Sequence, residues 1–379
     1  MSTARHLYVH LPFCAHRCGY CDFVTAVGRL DQHDAYVDAL LAELALERNL
    51  LATELETVFL GGGTPTFTQP RALERLLRAL PRADEVSVEA NPETVTQEVA
   101  RMLRALGVNR VSLGVQSFRP RLLDVLERVA RPDTVRRAFY HLRDAGFDNI
   151  SFDLIYGIPG QSAADLDADL VEALELAPEH LSCYELEAKP GTRFTHAHGP
   201  ALAEQAEAME EYFELVVERL TSAGYRWYET ANFCRASEGE TRDLRSCHNL
   251  AYWLGRDYLG VGVGAVSTIN GRRWRNTPRL NGYIRSLVEQ GERPTRDVET
   301  LTDDVLRRER VMLGLRLDQP MDLEGLADVV DRATLLRLRR LGLVSHDRDA
   351  GVETLSLTPR GRFLGGGVTA DLLADQAEA

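Results

Sequence analysis

Apolar, extended segments recur along the chain at 7–12, 57–60, 85–89, 110–116, 149–155 and 180–187, and between and after them apolar residues fall at helical spacing. The helical stretches are 35–51, 72–80, 99–106, 122–126, 135–142, 166–176 and 206–220. Gly107, Gly146 and Gly224 sit just past helix ends, where a left-handed residue stops a helix. Strand alternating with helix predicts an α/β fold with a parallel sheet, and six such units predict a curved, partial barrel with its chemistry at the C-terminal strand ends. The glycine-punctuated stretch 257–271 predicts a strand that closes the open side. A polar linker is expected over 291–302. Beyond it, helices at 304–317, 323–330 and 333–341 and short strands at 342–345 and 354–358 form a small, mainly helical module. The expected division is 1–225 for the partial barrel, 226–294 for a barrel-closing extension and 295–379 for the C-terminal domain.

Length and composition narrow the function classes. A chain of 379 residues, 44% hydrophobic and 27% charged, has the make-up of a globular protein with a large core. It contains no apolar run long enough for a transmembrane helix. The first residues enter a strand pattern at once, so no signal peptide and a cytoplasmic location are expected. A net charge of −13 disfavours a nucleic-acid partner, because phosphate rewards Lys and Arg. Arg337, Arg339 and Arg340 read accordingly as a solvated helix face.

The strongest local signal is Cys14-Ala15-His16-Arg17-Cys18-Gly19-Tyr20-Cys21, directly after the first strand. Thiols at this spacing suit zinc or an iron–sulfur cluster, yet no fourth ligand follows nearby. The bland alternative is one disulfide and a spare thiol. The other strand ends carry polar groups too: Gly61-Gly62-Gly63-Thr64 after the second, Glu89 at the third, Gln116 at the fourth, Asp153 in the fifth, and Tyr184 with Glu185 in the sixth. Single polar strand ends are ordinary turn chemistry; six on one rim, the cysteine loop included, point to a site. Glycines at 61–63 suggest a backbone that approaches a ligand closely, with amides and carbonyls available to it.

The CxxxCxxC loop after an N-terminal strand resembles the radical S-adenosylmethionine (SAM) superfamily. That resemblance implies a partial (β/α)6 barrel in which Cys14, Cys18 and Cys21 hold a 4Fe-4S cluster whose fourth iron chelates SAM. The segments 8–14, 61–66, 114–118 and 153–159 are similar to the oxygen-independent coproporphyrinogen III oxidase group, and the likeness spans nearly the whole chain. It implies Tyr8 near the cluster, Gly62, Gly63 and Thr64 at the methionyl end, and Glu89, Gln116, Arg128 and Asp153 around the rest of SAM. Two features depart from the oxidase: Asp22-Phe23 follows Cys21 where the oxidase has a further cysteine, and only seven residues precede Tyr8.

Both departures resemble the HemW-type heme chaperones, a subfamily understood to bind heme and hand it to acceptor proteins. His248-Asn249-Leu250-Ala251-Tyr252-Trp253 matches the HNxxYW motif of that subfamily. The match implies heme contacts from His248, Tyr252 and Trp253; an imidazole can ligate iron and aromatic rings can pack on a porphyrin. It also implies a winged-helix-like C-terminal domain, heme and an acceptor protein as partners, and leaves homodimerisation and transient membrane contact open. Enzymatic turnover is left open, with coproporphyrinogen oxidation as the rival activity. Cys183 reads as a buried thiol, while the roles of Cys234 and Cys247 are left unassigned, heme ligation by Cys247 being the lesser alternative. His196 and His198 read as a polar loop.

Overall fold

The computed structural model describes residues 3–189, 193–236, 241–349 and 351–373. Its centre is a twelve-stranded sheet: β1 (His6–Leu11), β2 (Leu55–Gly62), β3 (Ala83–Ala90), β4 (Arg110–Gln116), β5 (Ile150–Tyr156), β6 (His180–Glu185), β7 (Tyr225–Glu229), β8 (Asn232–Arg235), β9 (Tyr258–Val261), β10 (Val266–Ile269), β11 (Arg272–Asn276) and β12 (Arg296–Thr300). The order is β12-β11-β10-β9-β1-β2-β3-β4-β5-β6-β8-β7. From β9 through β6 every neighbour is parallel. The six strand–helix units of the partial barrel are therefore present.

The strands read as near-continuous apolar runs because helices cover their outer face. Along β4, Val111, Leu113 and Val115 are fully buried outward, while Arg110, Ser112, Gly114 and Gln116 face a central cavity. Gly107, Gly146 and Gly224 do stop helices, with φ of 89°, 88° and 83°. The helix Ala163–Leu176 starts on a capping box between Ser162 and Asp165.

Several expectations change. The stretch 226–294 does not form one closing extension: β7 and β8 lie at one edge of the sheet, whereas β9 to β11 continue from β1 at the other. The 291–302 linker contains β12, which pairs with β11 from Arg272↔Thr300 to Asn276↔Arg296. Its alternating charged residues hid an edge strand. Glu43 locks this edge to the barrel. Fully buried, it accepts from the Gly262 amide (2.8 Å), Asn276 Nδ2 (2.7 Å), the Tyr283 hydroxyl (2.6 Å) and Arg296 Nη2 (3.0 Å).

The C-terminal part has a separate apolar core that includes Val311, Leu335, Leu355 and Leu372. Helices Asp303–Gly314 and Arg332–Arg340 pack with the three strands Met321–Asp322, Val344–Asp349 and Val352–Leu357. The expected helix at 323–330 is a run of turns. His196 and His198 lie in the helix Arg193–Ala206, and the expected 206–220 helix is Met209–Ser222.

Candidate functional site

The cysteine loop leaves β1 through a short ladder, Phe13–Cys14 against Ala26–Val27, which pins both ends of the loop. His16 Nε2 donates to the Glu127 carbonyl (2.6 Å), joining the loop to the turn that carries Arg128. Cys14, Cys18 and Cys21 are free, partly exposed, and line the mouth of one cavity of about 770 Å³. Thr64 Oγ1 donates to Cys14 Sγ (3.6 Å) and Arg128 Nη1 to Cys18 Sγ (3.8 Å). Burial pushes the Cys14 thiol up to about 11 and raises that of Cys21, so thiolates here need a compensating cation. Among the described residues no three His, Cys, Asp or Glu side chains converge as ligands of a single ion. A cluster binds each sulfur through a different iron, so three spread thiols with donors aimed at two of them suit it.

Gly62, Gly63 and Thr64 line the cavity, and the loop they form also packs closely on the protein. A Cβ on Gly63 would lie 2.6 Å from the Pro12 carbonyl carbon, and one on Gly62, whose φ is +111°, would lie 2.5 Å from the His10 ring. The amides of Gly62, Gly63 and Thr64 bond to Glu89 Oε2 (3.0 Å), Leu11 O (2.8 Å) and Phe13 O (2.8 Å). Glycine is needed for the loop to pack on β1, and its amides are committed to the protein. Below it, Tyr8 donates its hydroxyl proton to His10 Nδ1 (3.0 Å), because His10 Nε2 donates to the Val24 carbonyl (2.8 Å). Burial lowers His10 to about 4, in keeping with a neutral ring.

Glu89, Gln116, Arg128 and Asp153 all line the cavity. Glu89 is pushed up to about 7 by burial and then by Asp153; burial raises Asp153 to about 6 although the Ser112 hydroxyl bonds it (3.0 Å). Both carboxylates are partly exposed, toward the cavity, a setting that favours a cationic or hydroxyl-bearing ligand. Gln116 adopts φ +67° at a break in the β4–β5 register, where left-handed backbone turns its side chain beneath Gly114. Arg128 is in a turn after the helix Pro120–Val125 rather than on a helix face. It is buried, and its Nη2 donates to Asn91 Oδ1 (2.7 Å) and Gly114 O (2.8 Å). Asn91, which also donates to Thr64 Oγ1 (2.9 Å), directly follows β3, two positions after Glu89, within the polar strand end that the sequence marks.

The HNxxYW stretch forms the helix Cys247–Trp253, capped by Ser246. His248 is buried in the cavity wall, with Nδ1 bonded to Thr57 Oγ1 (2.7 Å) and Nε2 to the Tyr252 hydroxyl (2.9 Å). Burial depresses it to about 3. Tyr252 shares the cavity; Trp253 does not line it and instead packs beneath the Arg316 guanidinium, 4.4 Å from the ring centre. Cys247 is half-buried, beside Glu85, and Cys183 is buried in β6.

A parallel α/β barrel with three cysteines over a carboxylate-lined cavity has the architecture of a radical SAM protein, and the model described as "Radical SAM superfamily" matches residues 8–173. The chain is 33% identical to heme chaperone HemW of Bacillus subtilis, across 97% of this chain and 99% of that one. With heme chaperone HemW of Mycobacterium tuberculosis it shares 37%, across 97% and 94%. The solved structure of coproporphyrinogen III oxidase (HemN) from Escherichia coli, described as a radical SAM enzyme, superposes with a TM-score of 0.79 at 26% identity, covering 97% of this chain and 90% of that one. The chain belongs to the HemW family.

Proposed function

We propose that this protein binds heme and passes it to an acceptor protein, while Cys14, Cys18 and Cys21 hold a 4Fe-4S cluster with SAM beside it. The single observation that carries the reading is the full-length similarity to heme chaperones HemW. When bound, a reduced cluster and SAM supply one-electron cleavage of the S–C5′ bond. The chain's own residues supply position and charge. Thr64 and Arg128 donate to the sulfurs of Cys14 and Cys18, and, with the cluster and SAM in the cavity, Glu89 and Asp153 would serve the sulfonium and ribose, Gln116 would offer both donor and acceptor groups, and Tyr8 would stand near the cluster. Tyr252 and His248 line the lower wall, and ligation by His248 requires its Nε2 to exchange the Tyr252 hydroxyl for iron. Trp253 then acts by bracing Arg316, which itself lines the cavity.

Among the described residues no helix is long and apolar enough to cross a membrane. A homodimer and transient contact with a membrane-bound client belong to the same reading and rest on the family resemblance alone, and a cytoplasmic location is part of it too. So does the assignment of the C-terminal part as a protein-contact module.

The likeness to HemN favours one rival, oxidative decarboxylation of coproporphyrinogen III. Against it stands Asp22-Phe23 where that group resembles a fourth-cysteine pattern. The deciding experiment is anaerobic titration of reconstituted protein with heme, followed optically, for wild type and His248→Ala, beside a porphyrinogen oxidation assay. Stoichiometric heme binding that weakens in the variant, without oxidation, is expected. Oxidation without specific heme binding would replace the chaperone with the enzyme.

A further inference from the structure

An ordinary eight-stranded barrel fills its interior with branched apolar side chains. Here the inward positions of β4 are Arg110, Ser112, Gly114 and Gln116, and the cavity continues past Asp153 to the N-terminal ends of the strands, where Arg110 and His180 line it. Arg110 is 3% exposed. Its Nη1 donates to Asn149 Oδ1 (2.9 Å) and the Leu244 carbonyl (3.2 Å), and among the described residues no carboxylate forms an ion pair with it. The nearby acid Glu85 accepts the amides of Cys247 (3.0 Å) and His248 (3.1 Å). His180 is kept neutral by burial, between Ser151 (2.8 Å) and the Tyr228 hydroxyl (2.8 Å). Asp153 feels the charge of Arg110 across the cavity, but among the described residues no carboxylate touches the guanidinium, and a buried guanidinium held only by neutral acceptors is expensive.

A second, independent feature lies on the adjacent strand. Ser87 is the direct register partner of Arg110, lines the same cavity, is 1% exposed, and its hydroxyl has no hydrogen-bond partner. A stranded hydroxyl beside an unpaired guanidinium is the donor set for one anionic group.

We propose that the lower end of the barrel cavity is a carboxylate-binding subsite, in which Arg110 and Ser87 hold the acid group of a ligand whose remainder extends toward the cysteine rim. Two sources share this chemistry: a propionate arm of the tetrapyrrole, which rests on the heme reading above, and a free small carboxylate, which does not. Arg110 lies at the floor, away from Arg128 at the cysteine loop, with Glu89 and Asp153 also lining the cavity, so an acid group seated at the floor meets a guanidinium of its own.

The test uses the full, anaerobically reconstituted chain and three probes: sodium propionate, heme, and heme dimethyl ester. Calorimetry with propionate is expected to show binding that weakens about tenfold or more in Arg110→Gln and by a smaller factor in Ser87→Ala. Ser87→Ala removes no existing hydrogen bond, so it keeps the test valid should Arg110→Gln fail to fold. Wild type preferring heme over its ester, with the preference lost in Arg110→Gln, identifies the tetrapyrrole arm as the occupant. Propionate binding that depends on Arg110, with heme and ester bound alike, supports the subsite with a free carboxylate. Propionate binding and ester preference both absent, or both unchanged in the two variants, overturn the proposal. Failure of heme to bind at all would defeat the chaperone reading while the propionate arm still decides the subsite.

Discussion

Glu43 and Glu89 are two carboxylates enclosed by the same sheet, and their surroundings are opposite. Glu43 receives four donors, one of them the Arg296 guanidinium, and has no exposed surface. Glu89 receives one, the Gly62 amide, and faces a cavity with a second carboxylate, Asp153, close enough to raise it further. A charge that serves the fold is completed by the fold. A charge that serves a ligand is left for the ligand to complete.

The largest expected effect is on the completed site. Glu43→Ala leaves the Tyr283 hydroxyl and the Gly262 amide without their buried acceptor, while Arg296 keeps Glu47 (3.0 Å), and should cost about 3–5 kcal/mol in urea unfolding. A cost below about 1 kcal/mol would erase the contrast. Next, Glu89→Gln should weaken SAM binding about tenfold or more by calorimetry while unfolding free energy at pH 8 changes by less than about 1 kcal/mol. Equal damage to stability would make Glu89 structural as well. His248→Ala falls between the two classes. With both ring nitrogens bonded within the protein, it should lose about 1–3 kcal/mol of stability as well as heme affinity. A loss of stability with heme affinity intact would return His248 to the wall.

The smallest effect is on pH dependence. Glu89 rises from an ordinary value near 4.5 to about 7 in the fold, so the folded state binds the extra proton between those values. Stability of the ligand-free protein should therefore fall as pH rises through that window, and the slope should flatten in Glu89→Gln. SAM carries a sulfonium that favours the ionised carboxylate, so its affinity should climb over the same window. A flat stability profile, or affinity that falls with pH, would separate Glu89 from the ligand.

Much of the site was legible because its residues fall at strand ends, and strand ends are visible as breaks in an apolar period. Glu89, Gln116 and Asp153 were found that way. Arg128 was not legible without the family resemblance, since on a helical pattern it reads as a solvated face; only the turn after Val125, with Glu127 at φ +56°, swings it under Gly114. The glycine run was found, and Gly62, Gly63 and Thr64 do line the cavity, while their amides bond within the protein. Its spacing shows that side chains are unwelcome, but whether a ligand or the protein's own β1 fills that space is settled by packing. The edge strand 296–300 was missed because a charged edge strand and a linker look alike in composition.

By itself the sequence determined what is local: the three thiols on one short loop, the helix stops at positive-φ glycines, and the alternation that makes a parallel sheet. Chain spacing alone enforces these. Tertiary structure decided what depends on partners far apart in the chain. Glu43 meets residues more than 200 positions away, and the stagger of β3 against β4 sets Ser87 beside Arg110. Burial and hydrogen-bond completion are properties of assembled neighbours, so only the fold could show which charges it satisfies and which it leaves for a ligand.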